Sequence, residues 1–276
     1  MLVTADTLLL DAQKNGYAVG AFNIENMEMA QAVVEAVAAL NAPAILQTTP
    51  STVRYGGAQL LASIMRSVAE TSKSPIAVHL DHGDGFGMAM QALRAGYTSI
   101  MIDGSQLPFE ENIALSARVV EATKPNGVPV EAELGKVGGK EDDHESENAY
   151  TEPKEAAEFV ERTGISSLAV AIGTAHGFYV GDPKLDLDRL AEIRAAVEIP
   201  LVLHGASGVS EETLIECVRR GISKINFATE LRVAYSNGVK AALEKNPKVF
   251  DPKVYGASGR DFVREKVTQL CRICMM

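Results

Sequence analysis

The segment "HLDHGDGF", residues 79–86, sets His79 and His82 on either side of Asp81 and closes the apolar run "SPIAV". The chain holds five histidines, and two others, His176 in "GTAHG" and His204 in "LHGASG", also follow apolar runs. Imidazole is the commonest metal ligand at neutral pH, and three of them with an open fourth position make a catalytic zinc arrangement. Taken singly, a histidine at a strand end is more often a hydrogen-bonded structural residue; three loops each delivering one to the same rim point to a shared cation. In "HLDH", strand alternation puts His79 and Asp81 on one face. Asp81 then sits beside the metal as an acid or base, and His82, just past the strand, can turn toward it. His79 reads as a buried partner rather than a ligand.

Two further stretches could do chemistry. "HGASG" (204–208) and "NFAT" (226–229) supply small residues, exposed backbone N–H groups and helix starts, which suit a phosphate, although a plain capping turn has the same composition. Glu141, with Asp142 and Asp143, belongs to an acidic run that by default is a solvated surface. The glycines at 138–139 ahead of it would let a flap carry Glu141 over a pocket, where a carboxylate can move protons.

These groups need a scaffold, and the pattern supplies one. Eight short β-rich runs recur at 17–24, 42–48, 75–80, 98–103, 128–134, 166–172, 199–204 and 223–227. Between them lie amphipathic stretches such as 27–40, 114–123, 155–163, 187–197 and 211–220, several capped by residues such as Ser210 or closed by Gly164 and Gly221. Eightfold alternation of strand and helix predicts an α/β fold, a (β/α)8 TIM barrel in one domain over residues 1–276, with a short N-terminal helix and a C-terminal helical extension. A doubly wound open sheet is the rival, but it usually has fewer strands and the first strand here lacks a GxGxxG turn. In such a barrel, catalytic groups come from the C-terminal strand ends. There the chain places His79, Asp81, His82, Asp103, Glu131, Glu133, His176, His204, Asn226 and Thr229. The longest irregular stretch, 135–153, reads as the flap.

Composition narrows the classes. A net charge of −10 argues against nucleic acid as a bulk partner while leaving room for a local anion site. No apolar run is long enough for a membrane helix, and the opening "MLVTADTLLLDAQKNG" does not read as a signal peptide, so a cytoplasmic protein is expected. Three cysteines make no disulfide framework, and Cys271 and Cys274 form a lone CxxC without the second pair a structural zinc needs.

Taken in order, "HLDHGDG", "IMIDGS", "VEAELGKVGGKEDD", "AVAIGTAHG", "IPLVLHGASG" and "KINFATELR" resemble the class II, zinc-dependent ketose-bisphosphate aldolases of the fructose- and tagatose-bisphosphate type, over about residues 4–260. The resemblance implies zinc on His82, His176 and His204. It implies Asp81 as the acid/base at the C4 hydroxyl and Glu141 as the group moving the dihydroxyacetone-phosphate proton. Asp103 and Glu133 match polar supporting positions or an alternative metal position. Gly177, Gly205, Ala206, Ser207, Asn226, Ala228 and Thr229 match the dihydroxyacetone-phosphate end. A monovalent cation (Na+ or K+) near the glycine loops, a small phosphorylated sugar as partner, and a homodimer or homotetramer are further implications. The chain departs from the family at "QTTPSTVRYGG" (47–57), which leaves Thr49 or Ser51 as the candidate distal-phosphate contact, and Arg260 is only a weak match for a basic residue there. Three alternatives stay open on the sequence: an imine-forming Lys224, a metal-dependent hydrolase, and a regulatory or accessory subunit that keeps the fold without the chemistry.

Overall fold

The computed structural model describes residues 1–141, 144–146, 149–177 and 183–276, excluding the side chains of 139–141 and 144–146. Eight parallel strands close into a barrel: β1 (Val19–Asn23), β2 (Ala44–Thr48), β3 (Ile76–Gly83), β4 (Ser99–Ile102), β5 (Val130–Leu134), β8 (Ser167–Val170), β10 (Leu201–Leu203) and β11 (Ile222–Phe227). Each predicted run contains its strand or overlaps it, and β11 returns to pair with β1. Helices α2 (Met27–Leu40), α3 (Pro50–Gly56), α4 (Ala58–Thr71), α5 (Phe86–Ala95), α6 (Phe109–Thr123), α7 (Pro153–Thr163), α8 (Leu187–Ala196) and α9 (Glu211–Arg219) alternate with the strands. After β11 come α10 (Thr229–Lys245) and α11 (Pro252–Cys274), the latter packed on α2. No helix among the described residues is long and apolar enough to cross a membrane.

Strand alternation divides the barrel into two environments. Outward residues such as Phe22, Leu46, Val78, Ile100, Leu168, Leu203 and Phe227 join the helices in one apolar core. Inward residues change character along the axis. At the N-terminal end, Val19, Ala21, Ile45 and Ala77 pack against Leu8, Leu9 and Ala12 of α1 (Ala5–Asn15), which plugs the floor. Higher up the lining turns polar: Asn23, Gln47, His79, Asp81, Ser99, Glu131, Glu133, His204, Lys224 and Asn226 are all buried. Buried polar groups are tolerated only when hydrogen-bonded, so this half of the interior is a network.

The flap corrects the sequence expectation of an irregular loop at 135–153. Strand β6 (Gly138–Glu141) pairs antiparallel with β7 (His144–Ser146) and parallel with β9 (Ala175–His176), forming a three-stranded sheet above the barrel. Asp142 and Asp143 lie outside the described residues, as does the side chain of Glu141.

Candidate active site

Asp81 and His82 are neighbours, so a regular strand would send them to opposite faces. The chain avoids this with a bulge. Leu80 pairs with Ile100 and Gly83 with Ile102, so β3 spends three residues where β4 spends two. His82 absorbs the distortion in the left-handed region, at φ +47°. Such a conformation costs a non-glycine residue about 1–3 kcal/mol and collects at functional sites. Gly83 completes the bulge because a Cβ there would stand 2.5 Å from the Met101 carbonyl oxygen. A related constraint acts on Gly205, at φ +63°, where a Cβ would meet the Ala175 carbonyl oxygen at 2.7 Å. The loop after β10 is thereby held against the strand that carries His176.

The structure brings His82, His176 and His204 together, with a ring nitrogen of each within 4.8 Å of the others. Their carboxylate partners assign the tautomers. His82 Nδ1 lies 2.8 Å from Asp103 Oδ2 and His204 Nε2 lies 2.9 Å from Glu131 Oε1, so each of these nitrogens carries the hydrogen. The remaining nitrogens, His82 Nε2 and His204 Nδ1, face each other at 2.8 Å as lone pairs. Two lone pairs aimed at one another repel unless positive charge lies between them. Two imidazoles oriented by carboxylates, with the ring of His176 beside them, therefore fit a zinc ion in donor type. His82, Asp103 and Glu133 form a second group of the same compactness.

Asp81 is buried and held at both oxygens. Asn226 Nδ2 donates to Oδ1 and Asn23 Nδ2 donates to Oδ2, each at 2.9 Å. Gln47 Nε2 donates to Asn23 Oδ1 at 2.7 Å and so sets the orientation of that amide. Asn23 and Gln47 were not singled out from the sequence. Their inward parity with Asp81 on adjoining strands was the available signal, because Asn23 pairs with Gln47 and Gln47 with His79. Asp81 and His176 line a cavity of about 440 Å³ with Gly177, Gly205, Ser207, Asn226, Ala228 and Thr229. Of the glycine-loop residues expected at a phosphate, only Ala206 is absent from this wall; its side chain packs into the hydrophobic core. The start of α10 faces the same cavity, which suits an anion. Farther along α10, Arg232 and Lys240 also line it, two cations that the sequence reading did not single out.

The distal-contact candidates lie elsewhere. Thr49 is fully buried, with its hydroxyl 3.1 Å from that of Ser51, at the start of α3. Arg260 donates to Gln31 Oε1 at 3.1 Å, bridging α11 and α2. None of the three lines the cavity.

Electrostatics inside the barrel is set by burial against pairing. Burial works to raise the Asp103 carboxyl, but His82 and then Ser105 outweigh it and hold the group well below the usual carboxylate range. For Glu131, burial is likewise overcome, first by Lys224 and then by His204 and His79. Burial, reinforced by His82, pushes His204 below the ordinary imidazole value against the pull of Glu131, which agrees with a neutral ring. Two carboxyls with depressed folded-state values stabilise the fold above the unfolded carboxylate range, near pH 4, and that contribution is lost as pH falls below it. The denaturation midpoint of the metal-free protein is thus expected to drop steadily between about pH 5 and 3. A midpoint independent of pH across that window would contradict the assignment.

The family model for class-II fructose-bisphosphate aldolase matches residues 3–276. Among solved structures, the YdjI aldolase from Escherichia coli K12 is 35% identical, with a TM-score of 0.88, covering 99% of this chain and 97% of that one. The fructose-bisphosphate aldolase from Campylobacter jejuni shares the fold at 23% identity, with a TM-score of 0.84 over 99% of this chain and 95% of its own.

Proposed function

Since the chain belongs to the class II fructose-bisphosphate aldolase family, we propose that it cleaves a ketohexose 1,6-bisphosphate reversibly, with zinc held by His82, His176 and His204. The substrate is fructose- or tagatose-1,6-bisphosphate, and the products are dihydroxyacetone phosphate and glyceraldehyde 3-phosphate. The observation that carries this reading is a cluster of three imidazoles, one of which, His176, lines the same cavity as a doubly clamped carboxylate.

The difficulty of the reaction is the carbanion left next to a carbonyl when C3–C4 breaks. Zinc, when bound, supplies Lewis-acid stabilisation of that developing charge. His82 and His204 present their inner nitrogens because Asp103 and Glu131 occupy the outer ones. Asp81 accepts the C4 hydroxyl proton in the cleavage direction and returns it in condensation. Asn23 and Asn226 prevent its carboxylate from rotating, so the proton acceptor stands in place before substrate arrives. Asn226 also lines the cavity, and its buried amide oxygen has no hydrogen-bond partner among the described residues. Gly177, Gly205, Ser207 and the first turn of α10 hold the phosphate next to C1, so remote binding energy orients the reacting bond. Glu141 protonates the resulting carbanion from the flap, whose strand is hydrogen-bonded beside His176 through Gly139. The same reading extends to a homodimer or homotetramer, as the family resemblance implies, and to a cytoplasmic location, as the opening residues suggest.

A coupled assay on both sugar bisphosphates, with and without a chelator, tests the proposal. Cleavage of at least one is expected, with loss of activity on chelation and recovery on adding zinc. Turnover that survives complete metal removal would refute it.

A further inference from the structure

The mechanism above leaves one fully buried cation unused. Lys224 projects from β11 into the barrel beneath the histidines, and its side chain has no solvent exposure. Although Lys224 stands near the start of β11, its ammonium reaches Glu131 and His79. A buried ammonium survives only when paired, and this one is saturated. Nζ donates to Glu131 Oε2 at 2.8 Å and to Oε1 at 3.0 Å, and it lies 3.4 Å from His79 Nε2. His79 is suited to accept there. Burial, then Lys224, keep its ring well below the usual imidazole value, and its Nδ1 lies 2.8 Å from Ser99 Oγ. The two histidines of β3 therefore have different partners: His82 meets His176 and His204, and His79 holds the lysine.

Glu131 is the link upward. The oxygen that Lys224 reaches at 3.0 Å is the one that faces His204 Nε2 at 2.9 Å. Asn226 Nδ2 lies 3.3 Å from that same ring nitrogen. If the amide donated there, His204 would turn a lone pair on Glu131 and carry its hydrogen on Nδ1, toward His82. Only a carboxylate held in place on the Nε2 side favours the opposite tautomer.

We propose that Lys224 is a positioning residue for the metal centre: by clamping Glu131 at both oxygens it fixes His204 as the Nε2–H tautomer, with Nδ1 directed at the ion. The inference rests on the zinc site proposed above. It assigns Lys224 a role three contacts from the ion, with no covalent part in catalysis.

The test reads zinc and tautomer in the absence of substrate. Zinc affinity of Lys224→Met, measured by chelator competition, is expected to fall ~10–100-fold, the range for losing an outer-shell partner. Should the unpaired Glu131 prevent folding, Lys224→Met/Glu131→Gln removes both charges and keeps an oxygen facing His204; its affinity is expected to fall at least ~10-fold. Ring-15N spectra of the metal-free wild type should show His204 protonated at Nε2, and the foldable variant should show mixed tautomers. Wild-type affinity together with an unchanged spectrum in either variant overturns the proposal, as does an Nδ1–H tautomer in the wild type. Wild-type protein that binds no zinc at all would instead sink the metal site itself, so the two failures are distinguishable.

Discussion

Asp81→Ala is expected to lower kcat by ~10²–10⁴-fold, the range for removing a general acid/base, while zinc content stays at the wild-type level. The reason for the split is geometric. Asp81 is tied to Asn23 and Asn226, whereas the rings of His82 and His204 are tied to Asp103 and Glu131. Asn226 is shared, its Nδ2 lying 3.3 Å from His204 Nε2, but the shorter contacts of the rings to Asp103 and Glu131 do not involve Asp81, so removing its carboxylate leaves the imidazoles in place. Because the proton transfer belongs to the transition state, kcat and kcat/KM should fall together with little change in KM. Asp81→Asn separates shape from chemistry: it keeps the volume, cannot accept the proton, and should lose as much rate. Elemental analysis and steady-state kinetics on both variants check this. Normal turnover in either would remove Asp81 from the mechanism.

His204→Ala is expected to weaken zinc binding by more than ~100-fold and to abolish cleavage with it, since losing a ligand exceeds the ~10–100-fold cost of losing an outer-shell partner. His204 is fully buried, facing His82 on one side and Glu131 on the other. Its loss removes one of the three donors and leaves Glu131 without the ring N–H. A fully occupied site with normal affinity after this substitution would refute the ligand assignment.

The scaffold was legible because barrel strands announce themselves. They are short apolar runs at regular intervals, buried on both sides, and the parity of a strand fixes which residues face the axis. The convergence of His82, His176 and His204 followed from the rule that loops after the strands share one rim. The amide clamp was harder to see. Asn23 and Gln47 are unremarkable letters at strand ends, and their relation to Asp81 depends on which strands are neighbours and in what register. The flap was misread as irregular because glycine-rich, acidic segments carry little β-propensity. Its strands form by pairing with the backbone beside His176, a partner distant in the chain.

What the sequence determined by itself was periodicity and chemistry: eight strand–helix units and the side chains each one delivers to the rim. What only the tertiary structure decided was everything that depends on strands meeting. The bulge that follows Asp81 and sets His82 beside His176 and His204 arises from a register shift between β3 and β4. The burial of Lys224 against Glu131 arises from closing β11, β10, β8 and β5 around a common axis. The physical reason is the same in both cases. Local spacing sets which way a side chain points, but the partner it must find to be stable without water is supplied by a residue far away in the chain.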